Sequence, residues 1–201
     1  MQEFIKSQIA SSRDTIEKML KDENLLSSVE IVAKIFIDAL QNGKKIIFAG
    51  NGGSAADSQH LAAELVSRLC YDRPGLNAIA LTTDTSALTA IGNDYGYERV
   101  FARQIEAIGQ EGDIFVGIST SGNSANIVEA LKSAKEKNIT TIGFVGRDAR
   151  KMAPFCQYTI NAPSDLTPKI QECHITLGHI ICALAEEEIF GAEYNPKRQA
   201  G

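Results

Sequence analysis

The chain has 201 residues, 44% of them hydrophobic, and a formal net charge of −5. That length suits one domain of generous size, and that apolar share is enough for a full core. The negative balance offers no general basic surface, which argues against nucleic acid and anionic membrane as partners.

Residues 1–22 place Phe4, Ile5, Ile9, Ile16, Met19 and Leu20 at helical spacing. The stretch is amphipathic and charged, unlike a secretory leader. A second helix is expected from Ser28 to Gln41, on Val29, Val32, Ile35, Phe36, Ala39 and Leu40. Asn42-Gly43 ends it, as a left-handed residue commonly does. Two helices before the first strand exceed what a minimal α/β unit needs. They are expected to pack against a neighbouring subunit; the alternative is that they cover the sheet of their own chain.

From Lys44 onward strand-like and helical runs alternate. Strands are expected at Lys45–Ala49, Asn77–Leu81, Asp113–Ser119, Thr140–Val145 and Tyr158–Asn161. Helices are expected near 54–70, 84–92, 97–109, 123–137 and 167–190. Such alternation predicts a parallel sheet wrapped on both faces. The expected organisation is a single α/β domain over 43–192, preceded by the helices of 1–42 and followed by a loose tail at 193–201. Cys70, Cys156, Cys173 and Cys182 lack metal-type pairing and are expected to be buried thiols in a reducing compartment. No run is long enough to span a bilayer, so a soluble cytoplasmic protein is expected.

Three stretches carry chemistry. The first is Gly50-Asn51-Gly52-Gly53-Ser54, directly after an apolar strand, with Ser54 as the expected helix N-cap. Glycines permit a tight turn with outward amides, and a helix start holds anions. Beyond it, His60 and Glu64 stand four apart, on one helix face. They can transfer protons or hold a metal. Arg68, four further on, can pair with Glu64 or meet substrate. Gly50 to Ala55 also fits the dinucleotide pattern G-x-G-x-x-A. No acidic residue stands at the end of the second strand, and that reading leaves the second loop unexplained.

That second loop is Ser119-Thr120-Ser121-Gly122-Asn123-Ser124, at the end of the third strand and before a helix at Ala125. Hydroxyls and free amides at a helix start can wrap a phosphate, and ligands of open α/β sheets bind at that end of the strands. Ser/Thr/Asn/Gly clusters are also ordinary turns. No Lys or Arg lies in either loop.

The third stretch is Thr167 to His179, where Thr167-Pro168 starts a helix. At about 100° per residue, Gln171 and His179 lie roughly 80° apart. Glu172 is closer still, so periodicity does not choose between Gln171 and Glu172. His174 points elsewhere and reads as a packing histidine. Lys169 stands at a helix start, a poor place for the buried amine a Schiff-base aldolase needs.

Together these pieces resemble the phosphoheptose isomerase family of sugar-isomerase (SIS) domains. The matching residues are Gly50 to Ser54, Gln59-His60 with Glu64, Arg73-Pro74, Gly92-Asn93-Asp94, Ser119 to Ser124, and Ile170-Gln171-Glu172 with His174 and His179. The resemblance implies a five-stranded parallel sheet of flavodoxin-like type with two added N-terminal helices, assembled as a homotetramer. It implies sugar phosphate on Ser119, Thr120, Ser121 and Ser124, with Asn51, Gly52, Gly53, Ser54, Asn93, Asp94 and Gln171 lining the substrate. Glu64 and His179 become the acid–base pair, and His60, Glu64, Gln171 and His179 match the family's zinc ligands. The reaction implied is aldose–ketose isomerisation of sedoheptulose 7-phosphate through a cis-enediolate. A same-fold relative that binds the replication initiator DnaA keeps both loops but lacks the acid–base pair. Glu64 and His179 therefore favour the enzyme.

Overall fold

A computed structural model describes residues 1–199. Helix α1 (Gln2–Lys21) leads through Asp22 into α2 (Glu23–Gln41). Asp22 takes an extended conformation and accepts from the backbone N–H of Asn24 and Leu25, both at 3.1 Å. This acidic cap starts α2 five residues ahead of the expected Ser28, and buries Leu25 as well as Val29. Asn42 and Gly43 end α2 as expected, with Gly43 at φ +71°.

The remaining elements are β1 (Ile46–Gly50), α3 (Gly53–Val66), β2 (Ala78–Ala80), α4 (Thr85–Tyr95), α5 (Ala102–Ile108), β3 (Ile114–Ser119), α6 (Ala125–Glu136), β4 (Thr140–Val145), β5 (Tyr158–Asn161), α7 (Thr167–Tyr194) and a short α8 (Pro196–Gln199). Two 3-10 turns, Tyr97–Arg99 and Arg150–Phe155, complete the described chain. The expected helix at 97–109 is thus split into a 3-10 turn and α5, joined through Val100 and Phe101, whose side chains are buried. Helix α7 runs to Tyr194, beyond the expected end at 190, and within the expected tail α8 follows; Ala200 and Gly201 lie outside the described residues.

All five strands are parallel, in the order β2-β1-β3-β4-β5. The register sets Gly50 beside Ile118 and Ser119 beside Val145, so both loops leave the same edge. One face of the sheet, with Ile46, Phe48, Val116 and Phe144, packs on α2, α3 and α7. The other, with Ile47, Phe115 and Val145, packs on α5 and α6. Helix α2 therefore belongs to its own chain's core. Helix α1 buries only Thr15 and Met19 and leaves Phe4, Ile5, Ile9, Ile16 and Leu20 exposed.

His174 is the one histidine inside this core. Its Nε2 donates to the Val145 carbonyl at 2.9 Å, its Nδ1 has no partner, and its ring stands 5.8 Å from that of Phe144. Burial pushes its pKa down to about 4. The unfolded chain then binds the proton between that value and about 6.5, so stability is full above the unfolded value and falls as pH drops. Urea denaturation is expected to show roughly 3 kcal/mol lost from this residue on going well below its folded pKa. His174→Gln, which keeps an N–H donor, is expected to flatten that slope; an unchanged slope contradicts the assignment.

Candidate active site

The β1 loop and the start of α3 are held by contacts of three kinds. Gly52 takes φ +56° and is itself the N-cap residue of α3; Ser54, expected there, lies within the first turn and is buried. A Cβ on Gly53 would stand 2.5 Å from Gln171 Nε2, so the Gln171 amide of α7 lies directly over the helix start. Asn51 turns sideways and forms a reciprocal amide pair with Asn126 of α6, at 2.9 and 2.8 Å. Tyr97 donates its hydroxyl to Asn51 Oδ1 at 3.2 Å. Neither Asn126 nor Tyr97 stands out in the sequence, because the pair spans 75 residues and no periodicity reports it.

One turn and more along α3, His60 Nε2 lies 3.1 Å from Glu64 Oε1 and 2.7 Å from His179 Nε2 of α7. That separation is a hydrogen-bond distance between the two rings, with donor and acceptor set by their tautomers. Glu64 Oε2 accepts no hydrogen bond among the described residues. Glu64 is largely sheltered, its side chain 19% exposed, while His60 stays open at 49%. Asp57, one turn earlier, keeps Oδ2 buried without a partner. Burial raises its pKa and the nearby His60 pulls it back. Its signal in the sequence is the i, i+3 spacing to His60, which the reading above passed over.

Ligand atoms of His60, Glu64 and His179 all lie within 4.8 Å of one another, the one such group of three among the described residues. Two imidazoles and a carboxylate are a donor set zinc accepts, with a coordination position left for substrate or water. The residues present therefore fit the metal.

Of the residues that periodicity left open, Glu172 is engaged elsewhere. It accepts from Lys169 Nζ at 2.9 Å, and Lys169 also donates to Ser12 of α1 at 2.6 Å. Lys169 is buried after all, 6% exposed, because α1 covers the start of α7; its amine is paired, not free. Arg68 is exposed and makes no bond to Glu64, whose partner is His60. Asn93 and Asp94 sit exposed at the end of α4, where Asn93 Nδ2 donates to Asp94 Oδ1 at 2.7 Å; no bond joins them to His60, Glu64 or His179.

The β3 loop turns its hydroxyls inward on one another. Ser119 Oγ meets Ser124 Oγ at 2.8 Å and Ser121 Oγ at 3.4 Å, and Ser121 Oγ accepts from Asn123 N at 3.2 Å. Ser124 is the N-cap of α6 without a side-chain cap bond, which leaves first-turn N–H groups facing the loop. Thr120 and Ser121 border a cavity of about 230 Å³ that Arg147, Arg150 and Asp165 also line. The cation absent from the loop thus comes from the segment after β4. Arg147 Nε donates to Asp165 Oδ2 at 2.7 Å.

The fold is that of a SIS domain, and residues 9–146 match the SIS domain family. The chain is 60% identical over 190 residues to the phosphoheptose isomerase of Aneurinibacillus thermoaerophilus, covering 94% of this chain and 96% of that one. It is 55% identical over 195 residues to that of Sulfurimonas denitrificans, covering 97% and 100%. The structure of a phosphoheptose isomerase from Neisseria gonorrhoeae superimposes with a TM-score of 0.87 at 44% identity, over 92% of this chain and 98% of that one. The chain belongs to the phosphoheptose isomerase family, whose members are aldose–ketose isomerases.

Gly53→Ala tests the contact over the helix start. Alanine is favoured within a helix by about 1 kcal/mol, so the fold is expected to hold. Its Cβ displaces Gln171, and turnover is expected to fall at least about tenfold, as when a supporting residue is lost. A stable variant with unchanged turnover contradicts a role for Gln171 in the site.

Proposed function

We propose that this chain converts sedoheptulose 7-phosphate to D-glycero-D-manno-heptose 7-phosphate, for nucleotide-activated heptose. The observation that carries the reading is the convergence of His60, Glu64 and His179, together with the Ser119–Ser124 hydroxyl loop at the end of β3. The names of the relatives support the substrate class.

In this reading the phosphate binds Ser119, Thr120, Ser121 and Ser124 at the start of α6, where N–H groups and the helix dipole favour an anion. Asn51, Gly52, Gly53, Ser54, Asn93, Asp94 and Gln171 line the sugar. Glu64 takes a proton from C1 of the ketose, and the electron pair moves into a cis-enediolate. Glu64 then returns a proton to C2. His179 moves a proton from the C1 hydroxyl to the C2 oxygen, leaving the aldehyde at C1. A carboxylate and an imidazole suit these two tasks, one at carbon and one at oxygen. His60, Glu64, Gln171 and His179 would hold zinc, which when bound would either polarise the substrate oxygens or orient the site's side chains.

The working form is a homotetramer in the cytoplasm. On α1, Ile5, Ile9, Ile16 and Leu20 fall within about 60° of one another and are exposed, which suits burial against another copy. No helix among the described residues is long and apolar enough to cross a membrane, and all four cysteines are free thiols. Ile9→Glu with Ile16→Glu is expected to reduce the assembled mass on light scattering; an unchanged mass removes α1 from the interface.

Purified protein is expected to turn sedoheptulose 7-phosphate into an aldose phosphate. Glu64→Gln and His179→Gln are each expected to lose at least about 100-fold in turnover while remaining folded, the scale of a lost acid–base group. No conversion by the wild type, with and without zinc, refutes the substrate; a fully active Glu64→Gln refutes the base.

A further inference from the structure

Helices α3 and α7 carry the acid–base group between them, and they are joined a second time away from it. Arg73, in the loop after α3, is buried with its side chain 0% exposed against a Glu186 carboxylate 1% exposed. Its Nε donates to Glu186 Oε1 at 3.0 Å. Its Nη2 donates to the Glu64 carbonyl at 2.8 Å, and Nη1 to the carbonyls of Leu65, Ser67 and Pro74 at 2.7, 2.9 and 3.0 Å. Glu186 in turn accepts from the N–H of Leu69 at 2.9 Å and of Cys70 at 2.7 Å. The Phe190 ring of α7 lies 5.7 Å from the guanidinium carbon.

The guanidinium thus caps the C-terminal carbonyls of α3, where a cation is favoured, and one of those carbonyls belongs to Glu64 itself. Its counter-charge stands on α7 seven residues after His179, on nearly the same helix face and about 10 Å along the axis. The two helices therefore meet at a chemical contact and at a buried ionic brace.

We infer that Arg73 and Glu186 are positioning residues: their pair sets where Glu64 stands relative to His179. The charge pair as such adds little that well-packed apolar residues could not supply; what it adds is partners for the backbone groups where α3 ends. Apolar contact has no direction, however. The guanidinium fork fixes direction at several carbonyls at once. The inference rests on the proposed isomerase reading for its kinetic readout and on the proposed zinc site for its metal readout.

The test is the full-length Arg73→Met/Glu186→Leu double variant, which removes both charges together. It is compared with Lys45→Met, a break in the Lys45–Asp113 pair at the opposite edge of the sheet, where Nζ and Oδ2 are 2.5 Å apart. The double variant is expected to fold. Its kcat is expected to fall about 10- to 100-fold, the usual cost of a lost supporting contact, with KM within about twofold. Its affinity for zinc ion alone, by calorimetric titration, is expected to fall about tenfold. Lys45→Met is expected to keep kcat and zinc affinity whatever its melting temperature. If the double variant does not fold, Arg73→Lys carries the same test, since a single ammonium keeps the charge but cannot reach the same carbonyls together. A folded variant with unchanged kcat and zinc affinity overturns the inference, and so does a loss that falls on KM alone. Should the wild type leave sedoheptulose 7-phosphate unchanged, the proposed reaction fails, while the zinc titration still decides the brace.

Discussion

Strands β1 and β3 lie side by side, yet the chain leaves them in opposite directions. From β1 it crosses by α3 to β2 on one side; from β3 it crosses by α6 to β4 on the other. Parallel crossovers of one hand then put α3 and α6 on opposite faces of the sheet, which is where the two core clusters hold their neighbours. A crevice opens between the first turns of these helices, at the strands' C-terminal edge. There the Asn51–Asn126 amide pair ties the β1 loop to the start of α6. That reversal brings the β1 and β3 loops out side by side at one edge of the sheet.

The other partner is α7. It packs beside α3 on the same face of the sheet and brings Gln171 and His179 to residues more than a hundred positions earlier. The contact over Gly53 needs the absence of a side chain, and the contact at His60 needs the two ring nitrogens within hydrogen-bond reach. Both demand that the helices stand at one separation. The ionic network around Arg73 meets that demand at the far end of α3, and Ser12 with Lys169 anchors the near end of α7 to α1.

Much of this was readable from local spacing. Alternating apolar runs foretold five strands, and turn residues foretold both loops and the end of α2. The His60–Glu64 pair followed from helical period alone. Boundaries moved where a cap was decided by a side chain the pattern ignored: Asp22 starts α2 early, and Gly52 starts α3 in place of Ser54. What stayed hidden depends on contacts between distant segments. Arg147 and Arg150 reach the Ser/Thr loop from beyond β4, and Tyr97 reaches Asn51 from beyond α4. Lys169 is buried by a helix that periodicity left unplaced. Arg68 was the reverse case: its spacing to Glu64 is suitable, yet the two form no ion pair and His60 is the partner of that carboxylate.

The central claim is that one substrate spans the crevice, phosphate at the β3 loop and reacting carbons at the His/Glu/His group. A crystal structure with a phosphorylated sugar hydroxamate, a stable mimic of the enediolate, tests it most directly. The account predicts phosphate oxygens within hydrogen-bond reach of the Ser119, Ser121 and Ser124 hydroxyls, and the hydroxamate between Glu64 and His179. Phosphate bound away from that loop, or a hydroxamate out of reach of both side chains, would contradict it.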